Sequence, residues 1–291
     1  MSEVIHSSIS SQETNISEHT ISEAARPKIK FDNSVAHYEI HAHQPYVSSA
    51  FNNSDEIRIA VQHQDLYILP SKSTLHVTGR IVKPNNTLVT NTKLISNGIS
   101  YLFNEIRYEL NGVEIDRSKN VGITTTMKNI ISQTPNQMIY SENAGYLPYD
   151  DDDSRVTNDA GYFDVNIPLS MIIGFAEDYR KIVVNAKHEL ILTRSRTDLN
   201  AVVNIEAAER EEFKIIINKV EWLIPYLMVN DRQKIELLKF IEKDSLITMS
   251  FRSWDLYEYP MIPATQKHVW TVKTSTQVEK PRYKTMKILQ S

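Results

Sequence analysis

The chain contains no cysteine. That absence excludes a disulfide framework, thiolate metal sites and cysteine nucleophiles, and it fits a reducing compartment without requiring one. Glycine and proline are scarce, at 7 and 11 of 291 residues, so no low-complexity or fibrous protein is written here. No apolar run approaches the ~20 residues that a membrane helix needs. Met1 to Ser11 has neither a basic start nor an apolar centre, so a secretory signal is not expected. A large excess of one charge is also missing. The net charge is −4 and the pI near 6.2, which gives no electrostatic case for nucleic acid or an anionic membrane as main partner.

The motifs of common chemistries are missing too. There is no phosphate-binding glycine loop, no nucleophile elbow and no zinc-protease helix. Five groups of residues are candidates for chemistry, and each has a plainer reading. His41 and His43 alternate along a strand, so their side chains share a face and can chelate. No glutamate follows at the offset a cupin uses, and surface histidines are expected. Asp150 to Asp153 lack the spaced ligands and glycine turn of a calcium loop and read as a solvated loop. Glu242, Asp255 and Glu258 have the chemistry for acid–base work, but nothing in the sequence places them together. Arg194, Arg196 and Arg210 are too sparse for a nucleic-acid patch. Trp254, Tyr257, Tyr259 and Trp270 read as core or interface anchors rather than base-stacking platforms. The sequence thus nominates no catalytic, cofactor-binding or metal-ligating residue, and no cofactor or small-molecule substrate. The sequons at Asn15, Asn52 and Asn85 are expected to stay unmodified without a signal peptide.

What is present is a core-forming 41% of hydrophobic residues, distributed mostly in strand patterns. Residues 1–33 are rich in Ser, Thr, Glu and Asn, lack periodicity and read as a disordered arm. Ile57 to Gln62 alternates apolar and polar, Leu66 to Leu69 continues it, and Thr74 to Val82 is a second β-rich run. The clearest local signal is Ile106 to Leu110, Asn111-Gly112, then Val113 to Asp116: alternating flanks around a type I′ turn dipeptide. Gly122 to Ser132 reads as a short helix or irregular segment, and Tyr140 to Asp159 as a long exposed loop. Phe163 to Ile167, Lys181 to Val184, Glu189 to Arg194 and Lys214 to Ile224 read as strands, with Pro168 and Pro225 as terminators. Leu169 to Phe175 reads as a short helix leading into a turn. Asp231 to Lys243 has apolar residues at helical spacing behind Asn230 or Asp231 as cap, and predicts an amphipathic helix. Leu246 to Arg252 and His268 to Thr274 read as strands of a new unit. Many short strands with few helices suggest a sandwich.

The stretch Asn97 to Asp116 (NGISYLFNEIRYELNGVEID) and the stretch Trp270 to Tyr283 (WTVKTSTQVEKPRY) resemble the double jelly-roll major capsid-like proteins of Polinton- and adintovirus-like elements and their relatives integrated in invertebrate genomes. The resemblance spans roughly Val35 to Tyr283. It implies an all-β fold of two jelly rolls side by side, three subunits forming a pseudo-hexagonal capsomer, and an icosahedral shell around double-stranded DNA. Partners would be further copies of the chain and other capsid proteins. The expected division is an arm at 1–33, a first roll at 34–229, and a connecting helix with the first strands of a second, incomplete roll at 230–291. The location is a virion capsid if the chain is viral, and intracellular otherwise. Two other functions are compatible with the sequence: a domesticated jelly roll kept by a host as a protein- or carbohydrate-binding module, and a metal-dependent jelly-roll enzyme using His41 and His43.

Overall fold

The computed structural model describes residues 35–46, 51–62, 67–147, 156–205, 210–243, 246–258 and 269. The expected arm, the tetra-aspartate run and the expected strand at 268–274 (apart from Val269) lie outside the described residues.

Two antiparallel sheets face each other. The first runs in the order β1 (Val35–His43), β11 (Lys214–Val229), β4 (Thr74–Val82), β8 (Tyr162–Pro168), with the two-residue β3 (Tyr67–Ile68) beside the far end of β11. The second runs β2 (Glu56–Val61), β9 (His188–Arg194), β6 (Phe103–Leu110), β7 (Val113–Lys119). The short β5 (Thr92–Leu94) and β10 (Val202–Asn204) pair with each other. Among the eight long strands taken in chain order, the first pairs with the last, the second with the seventh, the third with the sixth and the fourth with the fifth. This nesting is a long hairpin of strand pairs rolled so that alternate pairs fall in opposite sheets, which is the jelly roll. The fold is therefore the mostly β sandwich, with few short helices, that the strand pattern predicts.

Alternation puts one side of each strand into the core. Ile57, Ile59 and Val61 of β2, Leu75, Val77 and Ile81 of β4, and Phe163, Val165 and Ile167 of β8 are all buried. In β11 the inward set changes phase, from Ile215 and Ile217 to Val220, Trp222, Ile224 and Tyr226. The cause is a bulge: Ile217 opposes Gly79 and Lys219 opposes Thr78, leaving Asn218 as the extra residue. The hairpin joining β6 to β7 turns at Asn111 (φ 51°) and Gly112 (φ 76°), the two positive values a type I′ turn requires.

The helices are α1 (Gly98–Tyr101), α2 (Val121–Ser132), α3 (Pro135–Ile139), α4 (Leu169–Ile172), α5 (Gly174–Asp178) and α6 (Asp231–Glu242). Asn230 caps α6 by accepting the Gln233 N–H at 2.8 Å.

Four expectations are corrected. Pro225 does not end β11, which continues to Val229. Its carbonyl accepts Leu69 N–H on the side where β4 has already ended and β3 has not begun, so its missing donor falls in a gap of the ladder. Lys181 to Val184 is not a strand; Val183 alone bridges to Ile68. The expected exposed loop at 140–159 buries Ala144 and Tyr146 against the core. Leu246 to Arg252 forms no strand, because the segment lies on the roll through side chains instead of joining a ladder.

Candidate functional site

The histidine pair is used inside the fold. His41 and His43 sit opposite Ile224 and Trp222, so they share the inward face of β1. The His41 ring lies 4.5 Å from the Tyr226 ring, and its Nε2 is 2.7 Å from Glu39 Oε2. His43 Nε2 is 2.9 Å from the Tyr226 hydroxyl. Among the described residues no group of three or more histidine or carboxylate side chains is arranged to hold a metal ion.

The other candidates do not converge. Glu242 ends the solvent-facing α6, Asp255 is exposed, and Glu258 accepts the Asn120 side-chain amide at 2.7 Å. Arg194 is buried; its Nη1 donates to the Leu102 carbonyl at 2.6 Å and its Nη2 to Asp198 at 3.0 Å, while Arg196 and Arg210 are exposed. Trp254 is half-buried and Tyr257 exposed, whereas Tyr259 and Trp270 lie outside the described residues.

Sequence reasoning missed a partly buried charge network that fastens the segment after α6. Lys128 on α2 is almost fully buried; its Nζ donates to the Ser170 carbonyl at 2.6 Å and sits 3.0 Å from Glu177 Oε2. Burial lowers its pKa, and Glu177 opposes the shift. Asp116 on β7 accepts the Phe175 N–H and the Arg117 N–H, both at 2.9 Å, and burial pushes its carboxyl up to about 6. Arg252 forks onto Asp178 with Nε at 2.7 Å and Nη2 at 2.6 Å, and its own N–H adds a third bond at 2.9 Å. This pairing holds the Asp178 carboxyl below its usual range. Phe251 meets the Phe175 ring edge-on at 5.3 Å. A Cβ at Gly174 would stand 1.6 Å from the Arg252 carbonyl oxygen, so the backbones touch there and only glycine fits. A lone glycine in the apolar run 169–175 was the available signal, but it names no partner.

Two apolar surfaces face outward. Helix α6 buries no residue, and Ile235, Leu238, Phe240 and Ile241 are each about half exposed. Strand β1 is an edge strand of inverted polarity. Its His41 and His43 point inward, while Tyr38 and Ile40, opposite Leu227 and Pro225, face solvent at 49% and 61% exposure. Contiguous exposed apolar surface of this kind marks contact sites.

A family model described as a double jelly roll-like domain matches residues 92–291. Among solved structures, the chain is similar to the mavirus major capsid protein at 14% identity, covering 75% of this chain and 51% of that one with a TM-score of 0.46. The Faustovirus major capsid protein is similar at 9% identity, with 82% and 63% covered and a TM-score of 0.49. PBCV-1 VP54, fitted into a reconstruction of the virophage Sputnik, is similar at 10% identity, with 69% and 44% covered and a TM-score of 0.42. The chain spans about half the length of these solved chains. No curated protein matches the sequence.

Proposed function

This chain belongs to the double jelly roll-like domain family, and from that premise we propose that it is a non-enzymatic structural protein of the capsid type, acting by packing against copies of itself. The observation that carries the reading is the pairing of a closed, self-sufficient roll with apolar side chains left outside it on β1 and α6. A roll that has already buried its own core has no internal use for Tyr38, Ile40, Ile235 and Leu238 on the surface. A shell-forming subunit does, because symmetric assembly repeats one apolar contact many times.

In this reading residues 1–33 form an arm, 34–229 the first roll, and 230–291 the connection and the start of a second. Three subunits, each offering two rolls, make a pseudo-hexagonal capsomer that tiles an icosahedral shell. The partners are sibling subunits and other capsid proteins, and contacts with nucleic acid, membrane or a small-molecule substrate are not part of the role. The place of action is the virion capsid of a Polinton- or adintovirus-like element or of an integrated relative.

Analytical ultracentrifugation with electron microscopy of the purified chain tests this. Trimers and larger regular particles are expected, and replacing Ile40 and Leu238 with aspartate should shift the protein toward monomer. A chain that stays strictly monomeric at high micromolar concentration overturns the proposal.

A further inference from the structure

The geometry points to strand β1 as a self-complementary edge: it pairs antiparallel with β1 of a second copy across a two-fold axis at Ile40, joining two sheets into one. The inference rests on the capsid-type reading above and says which of the two apolar surfaces makes a two-fold contact. Such a contact joins two subunits and no more, so β1 links capsomers, and the three-fold contact within a capsomer falls to another surface.

Among the described residues β1 pairs on one side only, with β11. Its other side offers a row of unpaired backbone N–H and C=O groups. None of its nine residues is buried, so the facing sheet leaves room for a strand alongside. Exposed edges are ordinarily guarded by charged side chains or proline. The other three long edge strands keep to that rule, with Arg58 on β2, Glu114 and Lys119 on β7, and Asp164 on β8 all exposed. β1 has no lysine or proline, and its outward face is Tyr38, Ile40 and Ala42.

The one guard on β1 is Glu39, on the other face. By alternation it shares that face with His37, His41 and His43. His41 Nε2 and His37 Nε2 each lie against one of its carboxylate oxygens, and these bonds hold the carboxyl below its ordinary value. A partner strand with Glu39 opposite Glu39 would set two anions together and is disfavoured. Moving the axis to Ile40 puts Glu39 opposite His41 of the second copy, twice, and a carboxylate has acceptor sites left for a further imidazole. His37 then falls opposite His43, whose Nε2 is already engaged by the Tyr226 hydroxyl. On the outward face the same register sets Ile40 against Ile40 and Tyr38 against Ala42, a large residue beside a small one. Centring on Tyr38 would also meet the charge, by setting Glu39 against His37, but it runs the pairing into the irregularity at Ala36.

The chain has no cysteine, so single cysteines report the register directly. Directly opposed residues of an antiparallel pair have Cα atoms about 4.5–5.5 Å apart, within disulfide reach. Under mild oxidation of the full chain, Ile40→Cys should link to itself, and most of the protein should run as a covalent dimer. Tyr38→Cys alone should stay unlinked, because two Tyr38 positions lie four residues, or about 13 Å, apart along the strands. An equimolar mixture of Tyr38→Cys and Ala42→Cys should link. All three residues are exposed, so the fold is not at risk. Adding Glu39→Lys to Ile40→Cys should cut the dimer about tenfold, since the reversed charge enters each strand pair twice. Trimers or larger particles without an Ile40→Cys link, a Tyr38→Cys self-link of equal yield, or indifference to Glu39→Lys would each overturn this inference and leave the capsid reading standing. A strictly monomeric chain would overturn both.

Discussion

Residues 51–229 and residues 230–258 carry similar side chains and treat them differently. In the roll, isoleucine, leucine and aromatic residues meet across two sheets, and Trp222 packs edge-on against Tyr108 with its side chain shut away from water. After β11, the same residue types line α6 and none is buried. Farther on, Met249, Phe251, Arg252 and Glu258 return to touch the roll. An amphipathic pattern says which face of an element is apolar; it does not say whether the cover comes from the same chain. Here the roll closes on itself, and the helix keeps its apolar face available.

The difference can be broken most directly by truncating one side chain on each side of it. Trp222→Ala should cost about 3–5 kcal/mol, the usual loss for emptying a large buried aromatic site, read by urea denaturation. If it costs under 1 kcal/mol, the roll is not the self-sufficient unit described.

The next effect is in the pH dependence. Burial keeps His188 neutral down to about 4, below its ordinary 6.5, so its contribution is complete above 6.5 and is lost as pH falls toward 4. Asp116 is the opposite case. Its folded value of about 6 lies above the ordinary 3.8, so its contribution is complete below 3.8 and is lost as pH rises through 6. Each represents about 3 kcal/mol over its window, at 1.36 kcal/mol per pH unit. Between pH 4 and 6 the two slopes oppose, and the stability of the roll should change little. His188→Gln removes one slope, so stability should then increase as pH falls from 6 to 4. Denaturation at a series of pH values checks both, and a variant that stays flat would show that Asp116 does not hold its proton.

Gly112→Val should cost about 1–2 kcal/mol. Nothing lies within 4 Å of the added Cβ, so the loss is backbone strain at positive φ alone. Arg252→Ala sharpens the boundary between the regions. The pair with Asp178 is partly exposed, so unfolding of the roll should shift by about 1 kcal/mol or less, while hydrogen exchange of residues 249–252 should speed up markedly. Smallest of all, Ile235→Gln with Leu238→Gln should leave the stability of the monomer within about 0.5 kcal/mol. A larger loss would mean that α6 is covered by its own chain.

Much of the roll was legible because its signals are local. Alternation in β2, β4 and β8, the Asn111-Gly112 turn and the helical spacing behind Asn230 each depend on neighbours within a few residues. What was illegible depends on partners far along the chain. Pro225 is tolerated only because β4 stops before it and β3 starts after it. The inward histidines of β1 follow from its pairing with β11, and no local rule predicts polar residues on that face. Asp116, Lys128, Asp178 and Arg252 read as ordinary surface charges until the fold brings them together.

The partner of β1 is β11, close to two hundred residues later. A ribosome therefore releases the first strand long before the strand that will cover it exists. Until then the nascent chain must hold Tyr38, Ile40 and the bare edge of β1 in crowded surroundings, where other half-made copies offer the same edge. Such distant pairing makes for slow closure and a long window for mispairing. Slower translation just ahead of β11, or a holding chaperone during that interval, should therefore change the yield of native protein far more than either changes its final stability.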